Sequence, residues 1–342
     1  MDSEAKLGTY ALVTAAYNEE SYIERTLQAV VAQTIRPTKW IIVDDGSTDR
    51  TGEIIQRYAD QYRFIEPSRI MEGHPRNLTA QVHAINKGFS LLRSTGHDFI
   101  GNLDADISFE ASYFEKLLKK FEENVQLGLA GGLICEMRHG KFQERKCNNP
   151  MSVAHAVQMF RRECLEALGG YRLFTWAGAD WYAEVSLRMK GWHVQTLSEL
   201  KALHHRPNGQ GFGRVRYLYR GGIMDYYMGC HPVFEVFRTI RRFQSEPYVA
   251  GALAGLLGFA WAFCSRQARE VPEDFMRFLR KEQMERLLFW QKRSCPINVN
   301  RISSTCAGPM RWLRTASPPT PDEAKHKSLG DTPNLVSEDA KF

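Results

Sequence analysis

The chain has 342 residues and a net charge of +6 at pH 7, from 45 basic and 39 acidic side chains. Because the two signs are mixed and the surplus is small, composition does not indicate a nucleic-acid-binding protein. The seven cysteines are odd in number and include no Cys-x-x-Cys pair, which argues against a disulfide framework and a structural zinc site. The N-terminus lacks the pattern of a signal peptide, so the folded part is expected on the cytoplasmic side.

The first fifty residues predict a strand, a helix and a second strand. Residues 10–16 are mainly apolar, and Ser21 with Glu24 has the spacing of a capping box at the start of the helix. Trp40-Ile-Ile-Val43 is a short apolar run of the kind found in buried parallel strands. Ligands of open α/β sheets bind beyond the carboxyl ends of such strands. The sequence therefore predicts a ligand site where these two strands end.

Polar residues follow both of these strands. The first strand ends at Ala15 and runs into Tyr17-Asn-Glu19, and the second runs into Asp44-Asp45-Gly-Ser. We expect the two polar segments to lie side by side at one edge of the sheet.

A third polar segment begins near residue 75. Pro75 is predicted to open a helix that runs to Leu92 and carries Arg76 in its first turn. A guanidinium group matches the geometry of a phosphate, so Arg76 is either a phosphate ligand or an exposed arginine at a helix start.

The segment 98–103 predicts another strand, which leads directly into Asp104-Ala-Asp106. Carboxylates at positions i and i+2 after a buried strand point the same way and can share a hard divalent cation. The alternative is that they cap the next helix.

Asp180, Glu184 and Arg188 are spaced four apart and are predicted to line one face of a helix. A carboxylate at this place can accept a proton from a reacting hydroxyl. The alternative is that Asp180 caps the helix and Glu184 pairs with Arg188.

A predicted strand over 194–203 delivers His204 and His205. Imidazole suits manganese-like ions, so this pair is either part of a metal site with Asp106 or structural.

Together these motifs resemble those of the family 2 glycosyltransferases of the bacterial polysaccharide type, over about residues 8–210. The resemblance implies an α/β GT-A fold, Rossmann-like with a mixed central sheet. It implies inverting transfer from a nucleotide sugar, with UDP the commonest carrier, and a divalent cation, Mn²⁺ or Mg²⁺. Ala15-Ala16 and Ala179 depart from the residues usual at those places. The Gln-x-x-Arg-Trp motif of processive synthases is absent, so transfer of a single sugar is expected.

The resemblance also implies residue roles. Donor binding falls to Ala15, Tyr17, Glu19, Asp44, Asp45, Arg76 and Asp104, metal binding to Asp104, Asp106, His204 and His205, and base catalysis to Asp180 with Glu184 in reserve.

The C-terminal third has a different character. We predict a glycosyltransferase domain over 1–230, a helical appendage over 231–300 and a disordered tail over 301–342. The run 249–264 carries no charge but is shorter than the roughly 20 residues of a spanning helix. It is interpreted either as an in-plane helix at the cytoplasmic membrane surface or as a buried helix of a soluble subdomain.

Three further expectations follow from the sequence. The stretch 135–153 is polar, and within it His139-Gly-Lys is interpreted as a loop over the site. A late helix over 274–293 is predicted to bury Phe275, Phe278, Leu279, Leu287 and Leu288. The membrane-leaning appendage suggests a lipid-linked glycan acceptor in cell-surface polysaccharide assembly. Two other functions stay open: a non-catalytic nucleotide-sugar-binding scaffold, and a sugar nucleotidyltransferase, whose glycine-rich, lysine-containing motif residues 7–20 lack.

Overall fold

The computed structural model describes residues 7–71, 79–138, 140–145, 149–206, 213–243 and 248–294. Arg76 lies outside the described residues. The strands are β1 (Tyr10–Ala16), β2 (Lys39–Asp44), β3 (Ile65–Arg69), β4 (Phe99–Leu103), β5 (Ile107–Phe109), β6 (Leu127–Arg138), β7 (Lys141–Glu144), β8 (Val157–Arg161) and β9 (His193–His204). The helices are α1 (Ile23–Val31), α2 (Thr51–Gln61), α3 (Ala80–Leu91), α4 (Tyr113–Glu123), α5 (Arg162–Leu168), α6 (Ala179–Met189), α7 (Arg214–Tyr227), α8 (Pro232–Arg242), α9 (Tyr248–Cys264) and α10 (Glu273–Ser294).

The strands form one mixed sheet in the order β3-β2-β1-β4-β8-β6-β9-β5, with β7 pairing with β6. Strands β3, β2, β1 and β4 are parallel, whereas β8 is antiparallel to both β4 and β6. The mixed central sheet with helices on both faces confirms the predicted α/β architecture.

The central strands are apolar throughout because both faces of the sheet are covered. Val13 and Ile41 belong to a hydrophobic cluster that includes α3, whereas their neighbours Leu12 and Ile42 belong to a second cluster with α1 and α4. Successive side chains of a strand point to opposite faces, so a strand buried on both sides reads as an unbroken apolar run.

The predicted capping box at the start of α1 is wrong. The helix begins at Ile23, and Tyr22 precedes it without a side-chain capping hydrogen bond. Glu24 instead forms an ion pair with Arg57 of α2, with 2.5 Å between its Oε1 and the arginine Nη2. The start of α1 is stabilised by the backbone, since the amide of Ile23 donates to the carbonyl of Glu19.

The loop predicted at His139-Gly-Lys falls where β6, which ends at Arg138, meets β7, which begins at Lys141 and forms a hairpin with it. His139 itself lies outside the described residues. One other expectation differs from the structure. Leu288, predicted to be buried, is 57% exposed, whereas Phe275 of the same helix is buried.

The C-terminal helices pack against the sheet domain. Phe259 of α9 and Phe275 of α10 share a hydrophobic cluster with Ala183 of α6. Within the described ranges, no helix combines the length and apolar character needed to cross a bilayer. The domain boundary near residue 230 stays a prediction.

Helices α7 and α9 approach closely through glycines. A Cβ added at Gly222 would overlap the carbonyl oxygen of Gly255, and one at Gly258 would overlap the carbonyl oxygen of Tyr219. Glycine is therefore required at this crossing by space.

We expect Gly222→Ala to lower the thermal stability of the protein, because the methyl group would force α7 and α9 apart at a cost of about 1–3 kcal/mol. Gly221→Ala is the matched control. It lies in the same helix with nothing within 4 Å of an added Cβ, so only the higher helix propensity of alanine acts there. Differential scanning fluorimetry should show a lower melting temperature for the first variant and an equal or higher one for the second. Equal melting temperatures for both variants would contradict the packing argument.

Candidate active site

The two polar segments predicted to lie together are joined by hydrogen bonds. Parallel pairing sets Ala16 of β1 opposite Asp44 of β2. The amide of Asn18 donates to Ser47 Oγ at 3.1 Å, and Asn18 Oδ1 accepts from the amide of Thr48 at 2.9 Å. Asn18 has a φ of 52°, in the left-handed region that asparagine tolerates better than most residues. The predicted neighbourhood of the two segments is confirmed.

Asp44 and Asp45 are both buried at the end of β2. Asp44 Oδ1 accepts from the amide of Ser47 at 2.9 Å, and its Oδ2 lies 3.7 Å from Nε of Arg69. Arg69 ends β3, the next parallel strand, and the sequence analysis did not single it out. Its place at a strand end was the available signal.

The other donor-binding candidates lie nearby at the end of β1. Ala15 is half-buried, and Tyr17 is exposed. Their exposure leaves the strand end open to a ligand from solvent.

Glu19 and Asp106 share one cation, Arg206. Arg206 Nη2 lies 2.6 Å from Glu19 Oε1, and its Nε lies 3.3 Å from Asp106 Oδ2. Burial raises the pKa of Glu19 to about 7, against the lowering effect of Arg206 and with further raising by Asp106 and Asp104. Glu19 Oε2 is buried and makes no hydrogen bond within the described part of the chain. The site therefore presents an unused acceptor beside several negative charges.

Asp104 is held by two side chains that the sequence analysis missed. Its Oδ1 accepts from Gln81 Nε2 at 3.0 Å and lies 3.4 Å from Nδ1 of His155. Burial opposes the charged form of His155, but Asp104 and then Asp180 raise its pKa. Burial likewise opposes the ionised form of Asp104, but His155 and other cations hold its pKa below the usual value. His155 is thus electrostatically coupled both to the Asp-x-Asp segment and to the start of α6.

The two histidines that follow one another at the end of β9 face different partners. His204 is buried, and its Nε2 lies 3.2 Å from Asp106 Oδ2. His205 Nε2 instead hydrogen-bonds with Ser108 Oγ at 2.8 Å. Burial opposes the charged form of His204, but Asp106 raises its pKa, whereas burial lowers the pKa of His205. The structure brings His204 to Asp106 and leaves His205 on the opposite side of the strand end.

Comparison with known proteins identifies a family match in the N-terminal half of the chain. The profile of Glycosyl transferase family 2 matches residues 11–169, which contain β1 through α5 and both acidic segments described above. Residues 11–169 thus match glycosyltransferase family 2, over just under half of the chain.

Two curated relatives show how far this family match extends. A Bacillus subtilis protein described as uncharacterized glycosyltransferase EpsJ is 30% identical over 126 residues, which are 35% of this chain and 32% of that protein. The poly-beta-1,6-N-acetyl-D-glucosamine synthase of Staphylococcus aureus is 30% identical over 120 residues, which are 34% of this chain and 26% of the synthase. The matched segments thus span about a third or less of these relatives.

The fold extends further than the sequence match. The structure of GalNAc-T7 with UDP, GalNAc and Mn²⁺ is 16% identical, with a TM-score of 0.53 over 86% of this chain and 59% of that chain. This likeness supports the predicted GT-A fold class.

The side chains at this site fit a metal ion in part. Asp104, Asp106 and His204 supply oxygen and imidazole ligands of the type that manganese accepts. In the described part of the chain, no three His, Cys, Asp or Glu side chains are placed to hold an ion. Asp104 faces Gln81 and His155, and Arg206 contacts Asp106. These residues are of the types that bind manganese. In the structure, the carboxylates of Asp104 and Asp106 contact protein cations and hydrogen-bond donors.

Asp180 and Glu184 lie in α6, with Asp180 half-buried in its first turn. Glu184 is enclosed: its Oε1 accepts from the amide of Val153 at 2.8 Å, and Arg188 Nη1 lies 3.9 Å from its Oε2. Burial, and then the charge of Asp180, raises the pKa of Glu184 to about 8. The helix face was predicted correctly, and tertiary packing gives its two carboxylates different surroundings.

The raised pKa of Glu184 makes stability fall as pH rises. The unfolded carboxyl, with a pKa near 4.5, loses its proton before the folded one, with a pKa of about 8. The free energy of unfolding therefore decreases across that window. Above it, Glu184 causes no further change with pH, because the carboxyl is ionised in both states. Glu184→Gln keeps a neutral side chain with an acceptor, so its melting temperature relative to wild type should rise from pH 4.5 to pH 8.

Glu163→Gln, an exposed substitution on α5, is the control for this pH series. Its melting temperature should run parallel to that of wild type. If the Glu184→Gln curve is also parallel, Glu184 is ionised in the folded protein throughout and the inference is wrong.

Proposed function

We propose that the protein is an inverting, metal-dependent glycosyltransferase that moves a single sugar from a nucleotide sugar to a hydroxyl acceptor. The observation that carries the proposal is the convergence of three groups at one sheet edge. These are the buried Asp44 and Asp45 with Glu19, the Asp106–His204 pair, and Asp180, which is linked electrostatically to Asp104 through His155.

The donor is proposed to be a UDP-sugar. Ala15, Tyr17, Glu19, Asp44 and Asp45 would surround the nucleoside, and the unpartnered Oε2 of Glu19 could accept from a donor N–H or O–H group. Arg76, outside the described residues, would pair with the diphosphate. The presence of UDP and Mn²⁺ in GalNAc-T7 supports a nucleotide-sugar donor and a divalent ion by analogy of fold.

Asp104, Asp106 and His204 would hold the cation, which when bound offsets the charge that develops on the diphosphate leaving group. His205 was included in the predicted metal set, but its contact with Ser108 favours a structural role. His155 is proposed as a positioning residue that fixes Asp104.

The base is proposed to be Asp180. An inverting transfer needs one carboxylate that takes the proton of the acceptor hydroxyl as its oxygen attacks the anomeric carbon. Glu184, the reserve candidate, is 1% exposed and has a pKa of about 8, so at neutral pH it is largely protonated and shielded from an acceptor. Asp180 is the more open of the two carboxylates.

The acceptor is proposed to be a lipid-linked glycan of cell-surface polysaccharide assembly, on the cytoplasmic side of the cell membrane. The similarity to a polysaccharide synthase supports the glycan class, and the exposed apolar helices near the C-terminus support the lipid link.

Donor and metal are tested together by thermal shift with UDP, GDP, dTDP and CMP, each with Mn²⁺ or EDTA. Binding to the folded state at a hundredfold excess over the dissociation constant raises stability by about 2.7 kcal/mol. We expect a shift with UDP that EDTA abolishes and that Asp106→Asn loses. Asp60→Asn, on the exposed surface of α2, should keep it. No shift with any nucleotide would refute the donor assignment, and an unchanged shift in Asp106→Asn would refute the metal assignment.

The base is tested by donor hydrolysis, in which water replaces the acceptor. With the UDP-sugar that gives the shift, Asp180→Asn should lower the rate of UDP release by about 10²–10⁴-fold while leaving nucleotide binding intact. Asp60→Asn again serves as the control. Full turnover in Asp180→Asn would remove this residue as the base. Binding without measurable turnover in the wild type, with several sugars, would favour the scaffold function.

A further inference from the structure

Helix α8 is amphipathic, but its apolar stripe faces outward and charged side chains face inward. Val233, Val236, Phe237 and Ile240, at positions i, i+3, i+4 and i+7, are between 45% and 56% exposed. The charged residue Glu235 is completely buried on the other face. A surface helix normally directs its apolar stripe to the core and its charges to water.

The inward charges hold α8 in this orientation. Arg238 forms ion pairs with Asp225 of α7 and with Glu235, and Arg242 Nη1 lies 3.5 Å from Glu235 Oε1. Rotating the helix to bury its apolar stripe would break this network and leave Asp225, which is buried on α7, without its partner. The outward apolar stripe is therefore a fixed feature of the fold.

Helix α9, which packs against α8, carries a second exposed apolar stripe. Val249, Leu253, Leu257 and Trp261, spaced four apart, are between 45% and 61% exposed. The glycine face of α9 packs against α7, and this stripe stays about half exposed. We call these eight outward residues of α8 and α9 the α8–α9 face.

Among the described residues of α7, α8 and α9, the exposed charged side chains are basic. Among the described residues between 213 and 264, the acidic side chains are Asp225 and Glu235, and both are buried. Arg214, Arg216 and Arg241 are exposed. A groove of about 600 Å³ between α7 and α9 is lined by Arg214 and Arg216 together with apolar side chains that include Leu257. The exposed charges described in this stretch are thus basic and lie beside apolar side chains, while Glu246 lies outside the described residues.

We propose that the α8–α9 face docks in the plane of an anionic lipid bilayer. Apolar side chains would enter the boundary between headgroups and acyl chains, and the arginines would contact anionic headgroups. A second copy of the chain fits this surface less well, because pairing would place arginines against arginines. The proposal rests on the proposed function only in that docking would bring the site to a lipid-linked acceptor.

The test is flotation of the full-length protein with vesicles of phosphatidylcholine alone or mixed with phosphatidylserine. The protein should float with the mixed vesicles and lose this binding at high salt only in part, since the apolar contacts remain. The double variant Ile240→Glu with Leu257→Glu should reduce binding by about tenfold or more. Val125→Glu, an equal change at a residue 74% exposed elsewhere, should bind like wild type.

Nucleotide thermal shift on the same variants separates this proposal from the proposed function. A double variant that still responds to nucleotide but no longer floats supports docking through this face. Equal flotation of the double variant and Val125→Glu overturns it, as does failure of the wild type to float. If light scattering shows a dimer for the wild type and a monomer for the double variant, the proposal is also overturned, because a second copy of the chain then occupies this face. None of these outcomes depends on sugar transfer.

Discussion

The site depends on a concentration of buried negative charge at one edge of the sheet. Parallel pairing of β1 with β2 and β4 brings Glu19, Asp44 and Asp106 to the same end, where a carboxylate without a partner would be costly to bury. Arg206 and Arg69 supply the compensating charge. Such an arrangement adds little to stability. It leaves one buried acceptor, Oε2 of Glu19, without a hydrogen bond in the described part of the chain.

The position of Asp180 depends on the C-terminal helices as well as on the sheet. Glu184, one turn later in α6, is enclosed, and Arg188 joins α6 to α10 through a paired contact with Glu282 at 2.9 and 3.2 Å. Phe275 of α10 stacks on Tyr182 of α6 with 4.7 Å between ring centroids. The helical appendage therefore fixes the helix that carries the proposed base, and in the proposed docking geometry it also contacts the lipid. One group of helices would serve both catalysis and location.

Helices α7, α8 and α9 are held together by two kinds of contact. Contact between α7 and α9 relies on glycines, whereas α8 is held by buried ion pairs between Arg238 and two carboxylates. Both kinds of contact are directed inward and leave the apolar stripes of α8 and α9 outside. The sequence alone shows an uncharged run in α9. It does not show that the apolar stripe of α8 faces outward, because an amphipathic pattern does not say which face meets the core.

The sequence by itself determined the main strands of the sheet, the order of the acidic motifs and the face of α6 that carries Asp180 and Glu184. These follow from local periodicity and from strand ends, which depend on near neighbours in the chain. It was wrong about the cap of α1 and the burial of Leu288, since tertiary contacts decided both. Only the tertiary structure decided that His204 faces Asp106 while His205 faces Ser108, and that His155 and Arg206 join the site. Those contacts link residues about 50 to 100 positions apart, and the register of distant strands, which local pattern does not encode, determines which of them meet.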